Sequence, residues 1–245
     1  MPRIFINPGD ITGDTVVLPE HEAKRLLRVL RMSPDDNVTL FDGTTEYNSV
    51  ITHLGTKSAT LKITGSSSRN SETPLTTILG QGLPKGEKLE WVVQKAAELG
   101  VSSVVPVLMD RSIKRPDAND AEKQIRRLRK IATEAAQQSG RLRVPEVPCM
   151  MDLPMFLQHA TGADLKLVFY EGEKTAGLRY VLHCVACVRS VALLVGPEGG
   201  LKEEEVTEAE AAGFIPVGLG PRILRTETAG LAALSIIQFE LGDMG

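Results

Sequence analysis

Two glycine-rich stretches, Val195-Gly-Pro-Glu-Gly-Gly200 and Gly218-Leu-Gly-Pro-Arg-Ile-Leu-Arg-Thr-Glu-Thr-Ala229, decide the fold of this chain. Each stretch follows a short apolar run and precedes a run with the apolar spacing of a helix. The order strand, glycine-rich turn, helix therefore occurs twice in succession. Backbone amides at such turns and at the helix N-termini after them form an edge that binds small polar ligands.

The second stretch carries two arginines, Arg222 and Arg225, directly before a predicted helix. Positive charge is unfavourable at a helix N-terminus, so helix stability does not explain them. Thr226 is predicted as the N-cap of this helix, and Glu227 suits the helix dipole. The arginines therefore favour a function, such as binding a polyanion.

Bulk properties and motif spacing exclude several classes of protein. The chain has 245 residues and a net charge of −3. It contains three cysteines, an odd and small number that argues against a disulfide framework and for a reducing compartment. No leader or membrane-spanning run is recognisable, so a soluble cytoplasmic protein is expected. The first stretch matches neither the dinucleotide fingerprint nor a phosphate loop, and no His/Cys/Asp cluster has metal-ligand spacing.

Residues 1–72 form the first predicted domain. Short alternating apolar runs in this segment predict a small β-barrel. One helix is predicted over residues 19–31, with Leu26, Leu27 and Leu30 facing inward.

Residues 73–245 form the second predicted domain, after a polar linker over residues 65–74. Strands are predicted at residues 76–80, 101–107, 165–170, 191–195 and 214–217. Helices are expected between and after them, the longest at residues 119–139 and the last at residues 229–241. This alternation implies an α/β fold with a mainly parallel sheet covered on both faces.

Positive charge is concentrated between Arg111 and Arg143, where ten Lys/Arg stand against four Asp/Glu. Much of it lies on the outer face of the helix predicted at residues 119–139. A solvated surface and a phosphate-binding surface are both consistent with this pattern. Aromatic residues make up only 4% of the chain, so stacking on single-stranded bases is not indicated.

The two glycine-rich stretches resemble motifs of the ribosomal RNA small-subunit methyltransferase E family. Other segments agree in order and spacing: Arg3-Ile-Phe5, His21 through Val29-Leu-Arg31, Lys95-Ala-Ala-Glu-Leu-Gly-Val101, and Lys130-Ile-Ala-Thr-Glu-Ala-Ala-Gln-Gln-Ser-Gly-Arg141 followed by Pro145. The resemblance covers essentially the whole chain, and its C-terminal motif is highly specific.

The resemblance implies a SPOUT-class α/β domain whose C-terminal segment is threaded as a trefoil knot, preceded by a PUA-like β-barrel domain. It also implies S-adenosylmethionine as the methyl donor and N3-methyluridine in 16S ribosomal RNA of the small ribosomal subunit as the product. A homodimer is expected on the same grounds, and the lack of a long apolar run predicts no membrane association.

The resemblance further implies that the two glycine-rich turns are walls of one donor pocket. Main-chain groups would read the adenine edge, apolar side chains would pack its faces, and the loop after the third strand would add another side. The expected donor-binding residues are Tyr170, Glu171, Leu194, Val195, Gly196, Pro197, Glu198, Gly199, Leu219, Gly220, Ile223, Leu224 and Thr226.

Methylation at N3 of uracil requires loss of a weakly acidic proton, which is easier when positive charge stabilises the uracil oxygens. Arg225 is the first candidate for this role, and Arg222 is a weaker one. Glu198 or Glu227 is the candidate proton acceptor. The expected RNA-binding residues are Arg3, Arg25, Arg28, Arg31, Arg111, Arg126, Arg127, Arg129, Arg141 and Arg222.

Three alternative functions stay open at the level of sequence. One is another SPOUT RNA methyltransferase, acting on a ribose 2′-oxygen or on guanine. Another is a non-catalytic RNA-binding factor of ribosome assembly. The third is a small-molecule nucleotide enzyme with a doubly wound fold, which the missing dinucleotide fingerprint disfavours.

Overall fold

The computed structural model describes residues 1–67, 71–112, 115–172 and 177–245. The chain forms two compact units: the first comprises Met1–Glu72 and Ala136–Arg143, and the second comprises Thr73–Ala135 and Val144–Gly245. The predicted boundary at residue 72 agrees with the first segment, but residues 136–143 also belong to the first unit, which was not predicted. Within the described residues, no helix combines the length and apolar character that a membrane crossing requires.

The first unit is built on a six-stranded sheet. Its elements are β1 (Arg3–Phe5), β2 (Ile11–Thr12), β3 (Thr15–Leu18), α1 (Glu20–Lys24), β4 (Asn37–Phe41), β5 (Glu46–Leu54) and β6 (Ala59–Ser67). The strand order is β1-β4-β5-β6-β3-β2, with β1 and β4 parallel and the other neighbours antiparallel. The predicted linker begins inside β6, and residues 68–70 lie outside the described residues.

The helix predicted at residues 19–31 is split and ends early. A π-helical turn over Arg25–Val29 follows α1, closed by a hydrogen bond from the Leu30 N–H to the Arg25 carbonyl. A π-helical turn inserts an extra residue, which changes the direction of the side chains after it. Leu30 is 40% exposed, so the expectation that it faces inward is wrong. Arg31 then adopts a left-handed conformation with φ of 54°.

The second unit contains a six-stranded sheet in which all neighbouring strands are parallel. Its strands are β7 (Thr76–Gly82), β8 (Ser103–Leu108), β9 (Met151–Asp152), β10 (Leu165–Phe169), β11 (Ser190–Val195) and β12 (Ile215–Val217). Their order is β12-β10-β11-β7-β8-β9. The predicted α/β fold with a mainly parallel sheet is confirmed, whereas the knot stays a prediction.

Helices cover both faces of this sheet. They are α2 (Lys88–Glu98), α3 (Ala118–Ser139), α4 (Leu153–His159), α5 (Leu178–Cys184), α6 (Glu203–Ala211) and α7 (Thr226–Leu241). In β11, Leu193 belongs to a core cluster shared with α2, α3, α5 and α7, whereas Ala192 and Leu194 belong to one shared with α4 and α6. Successive side chains of a strand point to opposite faces, so one apolar strand serves both cores.

β9 and α4 were not predicted from the sequence. β9 has two residues and α4 has seven, and periodicity needs a window of about 11 residues to be recognised. Asp152 caps α4 by accepting a hydrogen bond from the Met155 N–H at 3.0 Å. Phe156 of α4 is fully buried beneath the sheet, which explains why this short helix is part of the core.

Candidate functional site

A cavity of about 400 Å³ lies at the carboxyl ends of β10, β11 and β12. Ligands of open α/β sheets bind at the carboxyl ends of the strands, and small-molecule sites measure roughly 300–1,000 Å³. The lining comprises residues 169–171, 195–198, 200–201 and 217–226, together with Lys88 and Ala229. All of these residues belong to the second unit.

The first turn (residues 195–200) packs against the end of β7. A Cβ atom at Gly82 would lie 2.5 Å from the backbone nitrogen of Pro197 and 2.7 Å from the carbonyl carbon of Gly196. Both neighbours are backbone atoms, so they cannot move aside as a flexible side chain can. Glycine is therefore required at position 82 for this turn to approach the sheet.

Arg111 supports the other end of the first turn. Its Nη1 donates hydrogen bonds to the carbonyl oxygens of Gly199, at 2.9 Å, and Leu201, at 3.3 Å. One guanidinium that binds two carbonyl oxygens restricts their separation. Because Nη1 of Arg111 is engaged by the protein backbone, a role in holding the first turn is favoured, and its expected contact with RNA stays a prediction.

The second turn (residues 218–225) connects β12 to α7. Gly220 has a φ of 93°, a conformation that favours glycine. Within the described part of the chain, the backbone N–H groups of Leu219 and Leu224 donate no hydrogen bond to another protein group. Main-chain donors that remain available on a cavity wall suit a ligand with polar edges.

Thr226 joins the two turns. Its hydroxyl donates a hydrogen bond to the carbonyl oxygen of Gly196 and accepts one from Nε2 of Gln81 at 2.7 Å. α7 begins at Thr226 itself, and its N-cap is Arg225, which makes no side-chain cap hydrogen bond. The prediction of Thr226 as N-cap is therefore wrong, because its hydroxyl bonds to Gly196 and Gln81 instead.

Lys88 forms ion pairs with two glutamates of the site. Its Nζ lies 3.1 Å from Oε1 of Glu198 and 3.3 Å from Oε1 of Glu227. The Lys85 N–H also donates to both oxygens of Glu198, at 3.0 and 3.2 Å. Burial raises the pKa of Glu198, but the hydrogen bonds from Lys85 and Lys88 outweigh it and bring the pKa below its ordinary value. The hydrogen bond to Glu198 raises the pKa of Lys88.

The remaining cations of the cavity are Arg222 and Arg225. Both side chains belong to exposed residues of the lining. Neither forms an ion pair with any residue that the structure describes. Their positive charges are therefore available to a bound anion or to a polar substrate.

Eleven of the thirteen expected donor-binding residues line the cavity. They are Tyr170, Glu171, Val195, Gly196, Pro197, Glu198, Leu219, Gly220, Ile223, Leu224 and Thr226. The other two do not, because Leu194 is fully buried in the core and Gly199 packs against Arg111. The role of the eleven in binding stays a prediction. Lys88 was not predicted from the sequence, because it is 110 residues away from Glu198 and belongs to no local motif.

Two of the expected RNA-binding residues point into the first unit. Arg3 forms an ion pair with Glu46, and its guanidinium carbon lies 4.9 Å from the centroid of the Phe41 ring. Arg141 is 6% exposed and pairs with Glu72 at 2.7 Å. The shielding and pairing of these guanidinium groups disfavour a contact with RNA, and both assignments stay predictions.

The exposed arginines of α3 also have protein partners. Arg126 pairs with Glu122 at 3.0 Å, and Arg127 pairs with Glu90 at 2.8 Å. Arg129 donates a hydrogen bond to a backbone carbonyl oxygen. The predicted basic face is thus largely balanced by acidic groups, and Lys114, also in the predicted basic region, lies outside the described residues.

The three expected RNA-binding arginines around the π-helical turn differ in their protein contacts. Arg25 bonds to Gln137 at 2.7 Å and to Glu22 at 3.4 Å. By contrast, Arg28 and Arg31 are exposed and form no ion pair with any described residue. They lie on and directly after the π-helical turn.

Two family models match the chain. One, described as an RNA methyltransferase domain, matches residues 71–238. The other, described as an RNA methyltransferase PUA domain, matches residues 18–64. The predicted PUA-like character of the N-terminal part is confirmed.

Relatives and solved structures agree with these models. The chain is 34% identical to the ribosomal RNA small subunit methyltransferase E of Bacillus subtilis, over 92% of the chain and 90% of that protein. It is 35% identical to the enzyme of that name from Neisseria gonorrhoeae, solved bound to S-adenosylmethionine, with 100% of each chain covered and a TM-score of 0.90. A Legionella pneumophila protein solved with the bound cofactor S-adenosylmethionine is 33% identical, with 98% of each chain covered and a TM-score of 0.90. The chain therefore belongs to the ribosomal RNA small subunit methyltransferase E family.

Proposed function

We propose that this protein transfers the methyl group of S-adenosylmethionine to N3 of a uridine in 16S ribosomal RNA. Family membership supports the methyl donor and the ribosomal RNA substrate. The observation that carries the proposal is the cavity between the two glycine-rich turns, with Arg225 in its lining. The choice of N3 follows from the family motif that contains Arg225.

The cavity has the chemistry that the donor requires. Val195, Leu219 and Leu224 provide apolar wall for an adenine ring, and the available N–H groups of the second turn can bond its polar edge. Glu171 is exposed in the lining and forms no ion pair with a described residue, so it can pair with the donor's ammonium group. When bound, the donor supplies an electrophilic methyl carbon on a positively charged sulfur.

Arg225 acts on the substrate base in this proposal. Its positively charged guanidinium stabilises the negative charge that develops on the uracil oxygens as N3 loses its proton. N3 then bonds to the methyl carbon while the carbon–sulfur bond breaks and its electron pair passes to sulfur. Arg222 would assist by holding a neighbouring phosphate.

Glu198 and Glu227 remain the candidate proton acceptors. The lowered pKa of Glu198 weakens this carboxylate as a base, and both its oxygens already accept hydrogen bonds. Oε2 of Glu227 is buried and has no hydrogen-bond partner among the described residues. Glu227 is therefore favoured, and a comparison of kcat for Glu198→Gln and Glu227→Gln separates the two.

The proposed RNA contacts fall first on Arg28, Arg31 and Arg222, because these exposed cations form no ion pair with a described residue. The double substitution Arg28→Gln/Arg31→Gln is expected to weaken binding to small ribosomal subunits. The slope of log K against log salt should fall by about 0.7–0.9 for each phosphate that the variant no longer neutralises. Arg126→Gln/Arg127→Gln is the matched control, since these arginines already pair with glutamates. Equal changes in slope for both variants would contradict the assignment.

A homodimer and a cytoplasmic location are further parts of the proposal. Leu231, Leu234 and Ile237 of α7 could not form its interface, because all three are buried within the unit. Ile236 and Phe239 of α7 are 40% and 60% exposed and offer an apolar alternative. Light scattering distinguishes the dimer from a 26.5 kDa monomer.

The proposed function is tested on the 16S ribosomal RNA of a strain that lacks the gene. Digestion to nucleosides and mass spectrometry should show N3-methyluridine missing from that RNA and restored when the gene is returned. Persistence of N3-methyluridine in the deletion strain would sink the proposal. If a different methylated nucleoside is missing from the deletion strain, the protein is still a methyltransferase, but the assignment to uracil N3 is overturned.

A further inference from the structure

Lys88 connects the two walls of the cavity through its charge. It is the first residue of α2, and its Nζ lies within 3.3 Å of carboxylate oxygens from two different elements. Glu198 belongs to the first turn, and Glu227 is the second residue of α7, directly after the second turn. No other described lysine or arginine pairs with either carboxylate.

The three side chains are shielded enough for their charges to matter. The exposed fractions are 37% for Lys88, 24% for Glu198 and 13% for Glu227. One ammonium therefore balances two partly buried carboxylates. Its removal would leave two negative groups that repel each other, and such repulsion is stronger in partly buried surroundings than in water.

A direct contact of Lys88 with an RNA phosphate is the competing explanation for a cation in this lining. An ammonium has three N–H donors, and two of them can be directed at the two carboxylates. A phosphate close enough to bind Lys88 would also approach both carboxylates, which would repel it. The geometry therefore favours a role within the protein.

We propose that Lys88 is a positioning residue of the donor site, whose ammonium holds Glu198 and Glu227 together and so sets the spacing of the two turns. This inference deepens the proposed function and rests on it in so far as the cavity binds S-adenosylmethionine. Lys88 acts through the two glutamates and takes no part in the methyl transfer itself.

The first test is calorimetric titration of the full chain with S-adenosylmethionine. Lys88→Met keeps the aliphatic stem but removes the charge, and it is expected to raise the Kd by about 10-fold or more. Lys88→Arg should restore the Kd to within about threefold of the original, because the cation returns. Lys85→Met is the matched control, since the Lys85 side chain is exposed and only its backbone N–H contacts Glu198.

The decisive variant is Lys88→Met/Glu227→Gln. If Lys88 acts by balancing charge, neutralising Glu227 relieves the repulsion, and the double variant should bind the donor more tightly than Lys88→Met alone. If the two substitutions instead weaken binding additively, the proposal is overturned. A loss of RNA affinity in Lys88→Met with unchanged donor affinity would also overturn it, in favour of the phosphate contact.

A measurement without ligand separates this inference from the proposed function. The Tm of Lys88→Met should be lower than that of Lys85→Met, and Glu227→Gln should raise it again in the double variant. If the original protein binds no S-adenosylmethionine, the proposed function fails. This pattern of Tm values still tests whether Lys88 holds Glu198 and Glu227 together. If the original protein binds the donor but Glu227→Gln restores neither the Tm nor the donor affinity of Lys88→Met, only the role of Lys88 is overturned.

Discussion

Arg225→Ala is expected to lower kcat roughly 10²- to 10³-fold, the cost of removing one group that stabilises developing negative charge in an active site. Its guanidinium is exposed in the cavity lining and forms no ion pair with a described residue, so its loss leaves no protein charge unpaired. Folding and donor affinity should therefore change little. The measurement is single-turnover methylation of small ribosomal subunits, together with calorimetric titration of S-adenosylmethionine.

Two further variants make this result specific. Arg225→Lys keeps the charge but loses the planar fork, so it should recover part of the rate. Arg222→Ala removes a neighbouring exposed cation and should affect the affinity for the subunit more than kcat. A fall in donor affinity that accounts for the whole loss of activity in Arg225→Ala would show that the residue serves the pocket and not the base.

Gly82→Ala is expected to abolish measurable donor binding and to lower the free energy of unfolding by about 1–3 kcal/mol, as overpacking of a buried site does. The added Cβ would stand 2.5 Å from the backbone nitrogen of Pro197, so the first turn has to move away from β7. Thr226 bonds to Gly196 in that turn, and the displacement would reach α7 as well. Urea denaturation and calorimetry measure the two effects.

Gly162→Ala is the matched control for that substitution. Gly162 lies in the same unit, and a Cβ there would meet nothing within 4 Å. This variant should keep both stability and donor affinity within experimental error. If Gly82→Ala kept full donor affinity despite a lower stability, the first turn would not be the wall on which binding depends.

The architecture of the second unit could be predicted from local patterns. β11 is a continuous apolar run that feeds two cores, which is the pattern of a buried parallel strand. α3 repeats apolar residues at helical spacing over 22 residues, so its existence and length were predictable. α4 could not be found in this way, because it is short and is defined by its contacts with the sheet.

The lining of the candidate donor site could be predicted only where its residues are contiguous in the sequence. The two turns lie in motifs whose glycines mark tight bends, and most of their predicted residues line the cavity. Lys88 was out of reach, since its partners come from two other parts of the chain. The same limit explains why Thr226 was predicted as an N-cap. Its hydroxyl instead donates a hydrogen bond to Gly196 of the first turn, which lies in another part of the chain.

Charge patterns in the sequence do not separate cations that are available to RNA from cations that already have a protein partner. Arg3 and Arg141 look like surface cations in the sequence, yet each has a glutamate partner far along the chain, 43 and 69 residues away. The arginines of α3 look like a basic stripe in the sequence. In the folded structure, glutamates of α3 and of the N-terminal end of α2 pair with them. Sequence shows how many charges a segment carries and does not show which of them are already paired.

The return of residues 136–143 to the first unit has a consequence for how the chain folds during synthesis. The first 72 residues leave the ribosome early, but the Glu72 carboxylate must wait for Arg141 and for the backbone N–H groups of Leu142 and Arg143. Domains generally fold in the order in which they are made. Here the N-terminal unit is completed only after the Thr73–Ala135 part of the second unit has been made, so neither unit can be cut from the other at a single peptide bond.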